Sequence, residues 1–188
     1  MKIVLASASP RRKELIKLIS DDVLCVTSDV DETLPEGIES GYVPEFLACK
    51  KAAAVKDNYF DDLVIGADTV VIIGGEILGK PKNSANAQDM LKKLSGRTHK
   101  VITGCALFLK GKSMSFSVTS YVTFYELSES EIDDYVATGE PNDKAGAYAI
   151  QGKGALLCKE IEGDFHNIVG LPVAELSRKI KQFIEICK

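Results

Sequence analysis

The run Leu63-Val64-Ile65-Gly66-Ala67-Asp68-Thr69-Val70-Val71-Ile72-Ile73, closed by Gly74-Gly75, constrains the fold more than any other part of the chain. Its apolar, β-branched content reads as a buried strand, and the glycine pair is a two-residue hairpin signal. Asp68 interrupts that strand with a carboxylate. An ionised carboxylate in such surroundings costs several kcal/mol or more unless something compensates it. A bound metal ion, a basic cluster or a catalytic duty would each compensate, and the chain offers candidates for all three.

Around this strand, helical and extended patterns alternate. Ile3-Val4-Leu5 reads as a short strand and Pro10 to Ile19 as a helix with Leu15, Leu18 and Ile19 inward. A strand is expected at Val23 to Thr27, followed by the acidic loop Asp29-Val30-Asp31-Glu32. Pro44 suits the first turn of a helix reaching Lys56, with Leu47, Ala48, Lys51 and Val55 on one face. Asn83 or Ser84 caps a helix through Leu94 that Gly96 ends. Val101 to Leu109 and Ser115 to Phe124 pair around Lys110-Gly111-Lys112. Ser128-Glu129-Ser130-Glu131 is a capping box opening a helix through Val136, closed by Gly139. A glycine-rich stretch to Gly154 leads to a strand at Ala155 to Ile161. From Pro172 a last amphipathic helix puts Val173, Leu176, Ile180, Phe183 and Ile184 on its apolar stripe. Interleaved hairpins and helical crossovers predict an α/β fold with a long mixed sheet in one domain spanning residues 1–188.

At 188 residues, 45% apolar and 27% charged, the chain has the balance of an ordinary globular protein with a sizeable core. The net charge of -4 offers no bulk attraction to nucleic acid or an anionic membrane, so neither is an expected partner. The five cysteines are scattered with no CxxC, and only His99 and His166 could join them, which argues against structural zinc. They read as small hydrophobes of a reducing compartment. The apolar N-terminal stretch is too short for a signal peptide, and no run approaches the ~20 residues of a membrane span. A cytoplasmic location is the expectation.

Ser7-Ala8-Ser9-Pro10-Arg11-Arg12 joins a strand to a helix, with Ser9 as N-cap and Pro10 at the first helical position. Backbone N–H groups and hydroxyls then face the positive helix end, a phosphate-binding arrangement. Two arginines in that turn oppose the macrodipole unless an anion sits nearby. Either an anion is bound here, or this is a capped helix with solvated arginines. The acidic loop supplies carboxylates that, with Asp68, suit a hard cation; alternatively it is a solvated turn. Lys51 and Lys80 are candidate phosphate or base contacts, or surface lysines. In Glu140 to Gly152, small residues permit close backbone approach to a ligand. Gln151 there can read a base edge, and Lys144 either meets substrate or pairs with Asp143. Neither histidine belongs to a nucleophile or metal-ligand pattern. There is no Walker A loop.

Ordered blocks then carry a resemblance. Ser7-Ala8-Ser9-Pro10-Arg11-Arg12-Lys13-Glu14-Leu15, Asp31-Glu32, Lys51-Ala52, Gly66-Ala67-Asp68-Thr69-Val70-Val71, Gly79-Lys80-Pro81 and Leu94-Ser95-Gly96-Arg97-Thr98-His99 come first. Thr103-Gly104, Tyr135-Val136, Thr138-Gly139-Glu140-Pro141, Asp143-Lys144-Ala145-Gly146-Ala147-Tyr148, Ile150-Gln151-Gly152 and Val169-Gly170-Leu171-Pro172 follow. Together they resemble the Maf family of nucleoside triphosphate pyrophosphatases. The resemblance implies an inosine triphosphate pyrophosphatase-like fold: an elongated mixed sheet with flanking helices and two lobes around a central cleft, in a homodimer. It implies hydrolysis between the α- and β-phosphates of a nucleoside triphosphate, with a divalent cation, Mg2+ or Mn2+. By the same resemblance Asp68 is the catalytic acid; with Glu32 of the acidic loop it is also the candidate metal ligand. Arg12, Thr69 and Gln151 bear on substrate choice, and Arg11, Glu32, Lys51 and Lys80 are polar positions of the cleft. With Ser7, Ser9 and Lys144 these, Glu32 apart, make up the candidate substrate-binding set.

The versions at 143–148 and 150–152 look like the dTTP/UTP-cleaving branch, a chemistry that also suits limiting the incorporation of modified nucleotides. Ala149 replaces a usual glycine, which would tighten the loop if that position needs a positive φ. Phe165-His166-Asn167 and Cys105 also depart from the usual pattern. The rival reading is a nucleotide-binding regulator of cell division and septum formation with incidental turnover.

Overall fold

A computed structural model describes residues 1–188. The elements run β1 (Ile3–Ala6), α1 (Pro10–Leu15), β2 (Val23–Val26), α2 (Val43–Ala53), β3 (Leu63–Ile73), β4 (Glu76–Leu78) and α3 (Ser84–Leu94). Then come β5 (Thr98–Leu109), β6 (Lys112–Phe124), α4 (Glu129–Ala137), β7 (Cys158–Glu162), α5 (Phe165–Val169) and α6 (Val173–Cys187). The result is the expected α/β class, built on one mixed seven-stranded sheet ordered β2-β1-β3-β5-β6-β7, with β4 on β3. β1 lies parallel to both β2 and β3, while β3–β4 and β6–β7 are antiparallel. Both hairpin turns form as read, with left-handed Gly74-Gly75 and Lys110-Gly111 pairs.

By internal packing the chain divides into two compact units. One comprises Met1–Asp68, Thr103–Val118 and Gly170–Lys188; the other comprises Thr69–Ile102 and Thr119–Val169. In the first, Val4, Ala6, Ala48, Ala52, Val55, Val64 and Ala106 form a core in which α2 lies on β1, β3 and β5. Small residues dominate this contact, so backbone approaches backbone. A Cβ at Gly66 would stand 2.1 Å from the Ala48 carbonyl oxygen, and one at Gly104 2.3 Å from the Glu45 nitrogen. In the second unit, α3 and α4 pack together, and α4 opens with the expected reciprocal capping box between Ser128 and Glu131.

Several expectations are corrected. The first helix stops at Leu15 and tightens into a 3-10 turn over Ile16–Leu18, which turns Ile16 into the core and leaves Leu18 exposed. The α-helix predicted to reach Lys56 ends at Ala53, again before a 3-10 turn. Ala155 to Leu157 belong to a 3-10 turn, and β7 starts only at Cys158. The short helix α5, held at its start by Asp164 accepting from the His166 and Asn167 N–H groups, has no counterpart in the sequence reading.

Candidate active site

Strand register places the first cluster. Ala6, the last residue of β1, pairs with Gly66 of β3 and with Val26 of β2. Because the three strands are parallel, the Ser7–Ser9 turn, the loop after β2 and the continuation of β3 to Asp68 all leave the same carboxyl edge. Parallel sheets bind ligands at that edge. Along β3 only Asp68 and Thr69 escape full burial. Side chains alternate along a strand, so the two point to opposite faces.

Asp68 is held by Lys51, whose Nζ lies 2.5 Å from its Oδ1 and 2.8 Å from Glu32 Oε1. The Lys51 and Asp68 side chains are only 14% and 13% exposed, against 58% for Glu32. The carboxylate in the strand is therefore compensated by a basic group. Lys51 reaches it because Gly66 lets α2 sit directly against β3, with Ala48 and Ala52 at the contact. The sequence signal for this is a glycine and small residues in an otherwise bulky apolar pattern.

At the helix start, Ser7 Oγ accepts from the Ser9 N–H and Ser9 Oγ accepts from the Arg12 N–H. The Lys13 N–H donates to the Ser9 carbonyl. These amides are committed to the turn, and α1 is only six residues long. Of the backbone N–H groups and hydroxyls expected to face the helix start, the Ser9, Arg12 and Lys13 N–H groups are thus bonded within the turn, so an anion there would meet chiefly the Ser7 and Ser9 hydroxyls and the arginine side chains. Arg12 Nε donates to the Gly170 carbonyl at 2.8 Å, which ties its guanidinium to the turn before α6. Burial pulls that guanidinium below arginine's ordinary range; the charge of Asp68 is the strongest opposing influence, with Glu32 adding to it and Arg11 subtracting. Arg12, Asp68 and Glu32 thus share one electrostatic environment. Arg11 is half-buried beside them.

The donor set fits a hard divalent cation. Asp68 and Glu32 both pair with the single Lys51 ammonium. No group of three or more acidic, histidine or cysteine side chains gathers anywhere. Mg2+ characteristically uses one or two carboxylates and takes its other ligands from phosphate oxygens and water.

In the second unit, Lys80 and Gln151 are exposed and Thr69 is half-buried. Lys144 is paired with its neighbour Asp143. The Gly146 N–H donates to the Gly79 carbonyl at 3.1 Å, which joins the Lys80 loop to the Lys144 segment. Gly146, at φ 69°, has the Val71 side chain within 3.0 Å of any added Cβ, so only glycine fits. Ala149 does not adopt a positive φ, so the alanine there causes no strain; Ala147 does, at 59°.

Glu140 carries no local signal of its own in the sequence. It accepts from Tyr135 Oη and from the Lys153 and Gly154 N–H groups. Burial raises its pKa, but these bonds and the charge of Lys144 outweigh that and bring it below the usual glutamate value. His99 is structural: it is buried, edge-on to Phe124 and Tyr148, with Nε2 2.8 Å from Tyr148 Oη. Asn167 is also buried and donates to the Val101 carbonyl and to Ser120 Oγ. Cys105 is fully buried, and that burial pushes its thiol up to about 12, which leaves it inert.

Comparison with known structures defines the class first. The Ham1 protein of Staphylococcus aureus superposes with a TM-score of 0.51 at 20% identity, over 66% of this chain and 72% of that one. This is the Ham1-like α/β fold, an inosine triphosphate pyrophosphatase-like architecture. The family profile described as Maf-like protein matches residues 2–183, and the chain belongs to the Maf family. Proteins named dTTP/UTP pyrophosphatase from Bacillus cytotoxicus and Bacillus cereus (strain B4264) are each 50% identical over 182 residues, covering 97% of this chain and 95% of theirs. A Bacillus anthracis protein of the same name is 49% identical over the same span. No helix is long and apolar enough to cross a membrane.

Proposed function

We propose that this chain is a nucleoside triphosphate pyrophosphatase that hydrolyses dTTP and UTP to the nucleoside monophosphate and pyrophosphate. The observation that carries the reading is Asp68, half-buried at the carboxyl edge of parallel strands, held by Lys51 and set in the field of Arg12. The names of the half-identical relatives support the pyrimidine nucleotides as substrates. They also favour an enzyme over the regulatory reading.

In the mechanism, water attacks the α-phosphorus, the bond from that phosphorus to the bridging oxygen breaks, and pyrophosphate leaves. Lys51 engages Asp68 Oδ1, so Oδ2 accepts the proton that the attacking water loses. Arg11, Arg12 and the Ser7 and Ser9 hydroxyls hold the triphosphate and offset the charge that grows on the leaving group. Glu32 and Asp68 would hold the divalent cation, Mg2+ or Mn2+, through oxygens other than the Asp68 Oδ2 that takes the proton, and the cation would polarise phosphate oxygens. Gln151 and Thr69 contribute to base selection, and Lys80 and Lys144 to binding. The family resemblance also supports a homodimer and a cytoplasmic setting.

The test is incubation with each nucleoside triphosphate and Mg2+ or Mn2+, followed by phosphorus NMR. Pyrophosphate with dTMP or UMP is expected. Orthophosphate would mean that a different bond is cleaved, and no product at all would return the regulatory reading.

A further inference from the structure

We propose that Glu140, acting with Tyr135, is a positioning residue that sets how Gln151 is presented to the base; this rests on the reading above in which Gln151 contacts the substrate. The segment from Ala149 to Gly154 is pinned at both ends by this pair. At its start, the Ala149 N–H donates to Tyr135 Oη at 3.1 Å, and that hydroxyl donates to Glu140 Oε1 at 2.9 Å. At its end, the Gly154 N–H donates to Oε1 at 3.0 Å and the Lys153 N–H to Oε2 at 3.1 Å. Between the pins, Ile150 is buried and Gln151 is exposed.

The two ends leave no slack. A Cβ at Gly152, where φ is +75°, would lie 2.7 Å from Glu140 Oε2, and one at Gly154 would lie 2.2 Å from the Ala149 carbonyl oxygen and 2.7 Å from Tyr135 Oη. Glu140 follows Gly139 at the end of α4, and its own N–H donates to Thr138 Oγ1, so the clamp is anchored to that helix. Both carboxylate oxygens accept from loop donors, and bonds to an ionised acceptor are about twice as strong as neutral ones. The carboxylate therefore fixes the backbone on either side of Gln151 without contacting substrate itself.

The test is steady-state kinetics on Glu140→Gln, Tyr135→Phe, Gln151→Ala and the double variant Glu140→Gln/Gln151→Ala, with dTTP, UTP and dCTP. Glutamine preserves volume but sets an amide N–H against the loop donors. Glu140→Gln should raise KM for dTTP and UTP about tenfold, with kcat held within about twofold and the preference over dCTP narrowed. Tyr135→Phe should shift KM the same way by about threefold, and it keeps the test alive if Glu140→Gln fails to fold. The double variant should be no worse than Gln151→Ala alone, because the clamp acts only through that side chain. Unchanged KM in both clamp variants while Gln151→Ala shifts it would overturn the proposal alone, as would additive effects in the double variant or a uniform fall in kcat. An unchanged Gln151→Ala would overturn the base-contact reading and the clamp with it.

Discussion

Gly66→Ala links the packing of the first unit to its chemistry. The new methyl carbon would stand 2.1 Å from the Ala48 carbonyl oxygen, 2.9 Å from the Ala52 nitrogen and 3.0 Å from the Ala52 Cβ. Two of those three atoms are backbone, so no side-chain rotation relieves the contact. Helix α2 must retreat from β3 by roughly 1.3 Å before the closest pair becomes an ordinary contact. Lys51 lies between Ala48 and Ala52 and moves with them, which lengthens its 2.5 Å bond to Asp68 beyond hydrogen-bonding range. A displacement of this size at a reacting group can cost ~10²-fold in kcat/KM, and overpacking costs about 1–3 kcal/mol in stability. Initial rates of pyrophosphate release from dTTP, with urea denaturation of the same preparation, measure both. If Gly66→Ala lost stability but kept native kcat/KM, the distance from α2 to β3 would not be what places Lys51, and the reasoning would be refuted.

Asp68→Asn keeps the shape of the side chain and its bond to Lys51 but removes the proton acceptor; kcat should fall on the order of 10² or more, and wild-type turnover would dismiss the assigned role. His99 is 2% exposed, and burial drives its pKa from 6.5 to about 4, with no partner at Nδ1 to receive a proton. Between those values the unfolded chain binds the proton and the native state does not. Stability is therefore complete above pH 6.5 and declines towards pH 4, by about 3 kcal/mol over the whole window. Urea midpoints across that range should show a shallower decline in His99→Gln, and identical slopes would count against the assignment. Asn167→Ala leaves the Val101 carbonyl and Ser120 Oγ without their buried donor, so thermal unfolding should report a loss of about 1–3 kcal/mol; a melting temperature unchanged from wild type would contradict this.

Local rules were enough where neighbours in sequence settle the outcome. The β3 run, the Gly74-Gly75 and Lys110-Gly111 turns, the Asn83 cap and the Ser128–Glu131 box all appear at their expected places, because hairpin geometry and helix capping involve residues only a few positions apart. The same rules faltered at Ile16–Leu18 and Ala155–Leu157, where burial of one residue or closure of a distant loop outweighed the local pattern. Ser7, Ser9, Arg11, Arg12, Glu32, Lys51 and Asp68 could be singled out from residue type and family motif alone. Their assembly could not be, because the parallel register of Ala6 with Gly66 joins segments sixty residues apart, and no local signal encodes such a pairing. The same holds for Glu140, whose role exists only once the loop returns to meet it. Composition, periodicity and short motifs state which groups the chain carries and which segments are regular. Distance and desolvation, which turn a stray carboxylate into a poised one, arise only when remote backbone is brought into contact.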